Sequence, residues 1–232
     1  MQRHLQLEMV KRSCAIPSCR SLMTLTVDVP LDSDIRERPC MVVSADDRSF
    51  YDGASWQRTF RRRFPENYGI QFRCMELRKF TSLTAGLDEM KEDLASEMNV
   101  VLISKGPLIS WLALYYLESL PLSGLVMVDP VEITQTSACD LKSVYRHDAI
   151  QQQLLDRIRL GAEDRPLLLE PGVLPIMVLS TRLDCIHDSF RIAARHSDPD
   201  GPFGPVTVTE VEGKSDSEVA SIINLWIDEK VL

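Results

Sequence analysis

The chain has 232 residues, 44% of them hydrophobic and 26% charged, a globular composition with enough material for one substantial core. A formal net charge of −8 argues against nucleic acid as the main partner. No apolar run reaches the ~20 residues that span a bilayer, so no transmembrane segment is expected.

Residues 1–26 read differently from the rest. Arg3, Lys11, Arg12 and Arg20 face a single acid, Glu8, with Ser13, Ser18 and Ser21 interspersed. A basic, serine-containing, acid-poor start fits an organellar leader, such as one for the mitochondrion, and also fits an ordinary disordered start; otherwise the chain reads as cytoplasmic. Leu22 to Leu25 is too short for a secretory core and contains Thr24. Residues 27–232 read as a single domain. The six cysteines (Cys14, Cys19, Cys40, Cys74, Cys139 and Cys185) show no metal-ligand pairing, and we read them as reduced residues of an intracellular protein. No metal and no cofactor is expected.

In chain order, Leu22 to Val29 alternates as an edge strand does. Leu31 to Arg38 is a charged loop, and Pro39 to Ser44 a buried strand ending in the turn Ala45-Asp46-Asp47. Ser55 to Phe64 is a helix with Trp56, Phe60 and Phe64 on one face. Ile70 to Leu77 is a strand. A polar loop, Arg78 to Ala85, leads to a helix from Leu87 to Met98, with Leu87, Met90, Leu94 and Met98 at helical spacing. The stretch Asn99 to Pro130 then reads as strand (Val100 to Ile103), a Ser-Lys-Gly turn, a nearly all-apolar helix opened by Pro107, and a strand (Leu125 to Val128). Proline suits the first helical position because its missing N–H would be unpaired there anyway. Such a unit implies a buried parallel sheet.

Val131 to Gly172 reads as an insertion with a helix from Asp140 to Leu160. Leu174 to Ser180 is a buried strand, Ile186 to His196 a helix, Ser197 to Pro205 a loop, Val206 to Val211 a strand and Ser217 to Val231 a helix. The inner face of that last helix carries Val219, Ile222, Ile223, Trp226 and Ile227. Alternation of strands and helices predicts an α/β fold: a doubly wound, mostly parallel sheet of about 6–7 strands with helices on both faces.

Three strings, in this order, resemble the α/β-hydrolase family across residues 39–232. NVVLISKGPLISWLALYYLESLPLSGLVMVDP looks like the family's elbow strand, elbow helix and following strand. IMVLSTRLD looks like the strand whose end carries the catalytic acid, and VTVTEVEGKSDSE like the last strand with the histidine loop. The resemblance implies a nucleophile on a sharp turn, a base, an acid and two N–H donors for an oxyanion.

Against that pattern the chain is degenerate. The Gly-x-Ser-x-Gly positions read Ser104-Lys105-Gly106-Pro107-Leu108, so Gly106 stands where the nucleophile belongs. The residue after it should give an oxyanion N–H, and Pro107 has none. The second donor position falls in Ala45-Asp46-Asp47, whose carboxylates oppose a developing anion. The histidine loop, Gly213 to Ser217, contains no histidine; Ser215 stands there instead, and with Glu218 it forms a Ser-x-x-Glu capping box. None of His4, His147, His187 and His196 matches the base position. Asp184 matches the acid position but, without a base and nucleophile, reads as a turn or N-cap residue for the helix beginning near Ile186 rather than a catalytic group. Asp129 reads as a turn residue at a strand end.

Two further features stand out. Arg58, Arg61, Arg62, Arg63, Arg73, Arg78 and Lys79 form a locally basic segment, suited to an acidic partner or simply a solvated face. Gly106 and Pro107 open a helix whose start could hold an anion, with Lys105 beside it. The reading is a pseudoenzyme: a non-catalytic scaffold or accessory subunit with protein partners. The alternatives are a module for a small acyl or hydrophobic ligand, and a hydrolase of small esters using Ser104 or Cys185.

Overall fold

The computed structural model describes residues 40–45, 53–75, 82–131, 169–183 and 186–232. The expected strand at Leu22 to Val29, the leader 1–26 and nearly all of the insertion lie outside these residues.

Among the described residues six strands form one sheet: β1 (Cys40–Ala45), β2 (Phe72–Met75), β3 (Val100–Lys105), β4 (Gly124–Val128), β5 (Ile176–Ser180) and β6 (Thr207–Glu210). Their spatial order is β2-β1-β3-β4-β5-β6, and every pairing is parallel. The chain steps outward from β1 to β2 and then returns to add β3 on the other side of β1. The carboxyl ends of β1 and β3 therefore flank the switch point where ligands bind in open α/β sheets.

Five α-helices among the described residues cover the sheet: α1 (Gly53–Arg63), α2 (Leu83–Leu94), α3 (Pro107–Leu117), α4 (Ile186–His196) and α5 (Asp216–Lys230). Strand side chains alternate between faces. Leu102, Leu125, Met127, Ile176 and Val178 pack with α2, α3 and α4. Val101, Ile103, Val126, Val128, Met177 and Leu179 pack with α1 and α5. On the second face Trp56, Phe60, Phe64 and Phe72 form a run of aromatic contacts, with centroids 4.8 Å apart for Trp56–Phe60 and 5.2 Å for Phe60–Phe64. The spacing of four seen in the sequence is what brings these rings to one side of α1.

Helix α3 is buried from Pro107 to Tyr116, which accounts for its all-apolar sequence. Trp111, at its centre, donates its indole N–H to the carbonyl of Val131. At the start of α5 the Ser215 hydroxyl accepts from the Glu218 N–H at 3.3 Å, and the Glu218 carboxylate accepts from the Ser215 N–H at 2.8 Å. These bonds, the backbone one first, hold the Glu218 carboxyl below its usual range.

The helix expected from Leu87 to Met98 starts earlier and ends earlier. Ser82 caps it by accepting from the Ala85 N–H at 3.2 Å, so part of the expected loop Arg78 to Ala85 is helical. The helix stops at Leu94, and Asn99 takes a left-handed φ of 57° ahead of β3. Met98 is consequently 82% exposed rather than buried. Helix α1 begins before Ser55 and runs into a π-helical turn, Phe64–Tyr68, closed by Gly69 at φ 64°. Cys74, on β2, is a half-buried reduced thiol. No helix among the described residues is long and apolar enough to cross a membrane.

Candidate functional site

The turn from β3 to α3 stands at the switch point. Ser104 and Lys105 belong to the strand, in register with Ser44 and Ala45 of β1 and with Met127 and Val128 of β4. The expected three-residue turn is therefore a single residue, Gly106. Its φ of 97° and ψ of 162° lie in a region that essentially only glycine occupies. The Gly106 N–H donates to the Val128 carbonyl at 2.9 Å, and the Gly106 carbonyl accepts from the Ser110 N–H at 3.1 Å. Pro107 follows as the first helical residue. The apex thus presents no side chain, and the next residue presents no N–H.

The polar groups around the apex turn inward. Ser104 is wholly buried; its hydroxyl donates to the Val126 carbonyl at 3.2 Å and lies 3.2 Å from the Ser110 hydroxyl. A hydroxyl has one proton, so Ser110 donates to Ser104. Lys105 points to the opposite face, where its ammonium lies 4.2 Å from the centroid of the Trp56 ring under α1. A cation there is attracted to the ring face. The lysine that sequence reading set beside an anion at the helix start is thus directed beneath α1.

Asp129, expected as an ordinary turn residue, is wholly buried and has a left-handed φ of 47°. Its carboxylate accepts from the Thr181 N–H at 2.7 Å and from the Thr181 hydroxyl, and its own N–H donates to the Leu179 carbonyl at 2.9 Å. It staples the end of β4 to the end of β5. Burial raises its carboxyl above the usual range; the two Thr181 bonds, Arg182 and Lys105 oppose that rise.

The remaining family positions divide. Ser215 caps α5, as the capping-box spacing predicted. Asp184 and Cys185 lie outside the described residues, as do Asp46, Asp47, His4 and His147. His187 is exposed on the first turn of α4. His196 is buried at the far end of α4, toward the amino-terminal edge of the sheet and away from the elbow. Among the described residues no group of three His, Cys, Asp or Glu side chains could hold a metal. Within the basic segment Arg73 pairs with Glu97 and Arg62 pairs with Glu66 at 3.4 Å; Arg78 and Lys79 lie outside the described residues.

The folds of solved structures match this arrangement. The fold is that of the α/β-hydrolases. A hormone-sensitive lipase from a metagenome library superposes with a TM-score of 0.58 at 12% identity, over 84% of this chain and 78% of the lipase. A thermostable esterase from Pseudomonas putida ECU1011 gives 0.56 at 10% identity, over 91% and 83%. An alpha/beta hydrolase from Sphaerobacter thermophilus DSM 20745 gives 0.52 at 8% identity, over 82% and 92%. At such identities the likeness is one of fold. No protein-family model matches the chain, and no curated protein does.

Two outcomes follow from the geometry. Gly106→Ala places a Cβ in a backbone region closed to it and should lower unfolding stability by about 1–3 kcal/mol, read by urea denaturation; an unchanged midpoint would show that the turn relaxes freely. For Asp129, a folded pKa above the unfolded value means that the fold favours the protonated form. Its contribution is present in full below the unfolded value and is lost as pH rises through the folded one. Asp129→Asn removes that titration while keeping an acceptor for the Thr181 N–H. Melting scans from pH 4 to 7 should show the native chain losing ground to the variant as pH rises; a constant difference would refute the assignment.

Proposed function

We propose that this chain is a non-catalytic α/β-hydrolase-fold protein that serves as a scaffold or accessory subunit of a larger assembly. The observation that carries this reading is the apex, where glycine at a positive φ is followed by proline. Hydrolysis on this fold needs a nucleophile at that point and an N–H immediately after it. Loss of one oxyanion donor alone costs ~10²–10³ in rate in a working enzyme. The loop at the family's histidine position supports the same reading: Gly213 to Ser217 contains no histidine, and Ser215 there caps α5. The lipase and esterase activities named for the structural neighbours belong to proteins that resemble this one in fold.

A packed sheet without reaction chemistry still offers surfaces. The net charge is −8, yet the last turn of α1 carries Arg61, Arg62 and Arg63, with Arg58 one turn earlier. Arg58 and Arg62 are exposed. This end of α1 suits an acidic partner face, and such attraction acts mainly on encounter rate and specificity.

Native size analysis of extract from the protein's own cell tests the proposal. The chain should run within a larger complex, and the pair Arg58→Glu and Arg62→Glu should release it with its melting temperature unchanged. A chain that runs as a monomer and turns over p-nitrophenyl esters above background would overturn the proposal.

A further inference from the structure

A small cavity lies on the other edge of the sheet from the elbow, where the chain enters β5 and β6. It is bounded by His196 at the end of α4, by Phe203 and Gly204 in the following loop, and by Trp226 and Lys230 of α5. Its volume is about 10 Å³. A single water needs roughly 10–15 Å³ of such space and two to four polar partners. The Lys230 ammonium donates to the Phe203 carbonyl at 3.5 Å and ties the loop to α5.

His196 is only 2% exposed, and its Nδ1 has no hydrogen-bond partner among the described residues. A buried polar atom in a native fold normally has a partner, from protein or from ordered water. The elbow region makes no use of this histidine. Burial, followed by the charge of Arg195, holds its pKa down at about 4, so the ring is neutral at neutral pH. A neutral imidazole nitrogen can accept or donate one hydrogen bond. No carboxylate lines the cavity, so its donor set does not suit a metal ion.

We propose that this cavity is a binding site for one ordered water, hydrogen-bonded to His196 Nδ1 and completed by backbone groups that line the same space. The water joins the end of α4 to the loop before β6. It gives the buried His196 Nδ1 a partner in a lining that also includes Thr207 and Lys230, and it is independent of the scaffold reading. The site also accounts for a polar residue at this position: His196 lies four residues after Ile192, on the buried side of α4.

A crystal structure of the full chain at high resolution tests this directly. A density peak about 2.7–3.2 Å from Nδ1 is expected, together with a water cross-peak in the NMR spectrum of the protein in solution. His196→Gln keeps a hydrogen-bonding side chain and should retain the peak; His196→Leu should lose it. Should the leucine variant fail to fold, the native structure still decides. No peak in the native cavity, or Nδ1 bonded to a protein group in its place, would overturn the proposal.

Discussion

The backbone conformation of Gly106 is the constraint on which the rest depends. A parallel strand buried on both faces must hand over directly to a buried helix, and only one residue is available to reverse direction. At φ 97° and ψ 162° that residue has to be glycine. Pro107 then sets the first helical φ and contributes no N–H that would need a partner. Within this fold the same turn is the one that raises a catalytic side chain. Here the backbone requirement is met by a residue that has no side chain to raise.

The charges and hydroxyls around the joint follow the same logic. Ser104 and Ser110 satisfy each other and a strand carbonyl. Lys105 lies on Trp56, and Asp129 binds Thr181. Buried polar groups are costly unless hydrogen-bonded, so each must find a partner within the protein. Ser104 and Ser110 bond within the sheet layer, Lys105 lies under α1, and Asp129 ties together the chain just past the carboxyl ends of β4 and β5.

Much of this was legible in the sequence because it is local. The helix from Ile186 to His196 has the observed bounds, and the Ser215–Glu218 box is a contact over three residues. The continuous apolar runs of β3, β4 and β5 marked them as buried strands, and each is buried along its length. What failed to show was set by distant contacts. Nothing near Lys105 reveals that Trp56 will lie under its ammonium, and nothing near Asp129 reveals a left-handed φ stabilised by a neighbouring strand. Met98 fitted helical spacing, but the helix that Ser82 starts ends at Leu94, and Met98 lies in the link to β3. The burial of His196 did have a signal, its spacing from Ile192, which a search restricted to catalytic roles passes over.

The proposed non-catalytic role requires that no activated serine stand at or near the Gly106 turn. Intact mass of the native full-length protein after treatment with excess fluorophosphonate measures that most directly. The account predicts an unmodified mass under conditions that fully label a serine hydrolase control. A single stoichiometric adduct, mapped to any residue, would contradict it and would mean that the chain has rebuilt a reactive centre away from Gly106.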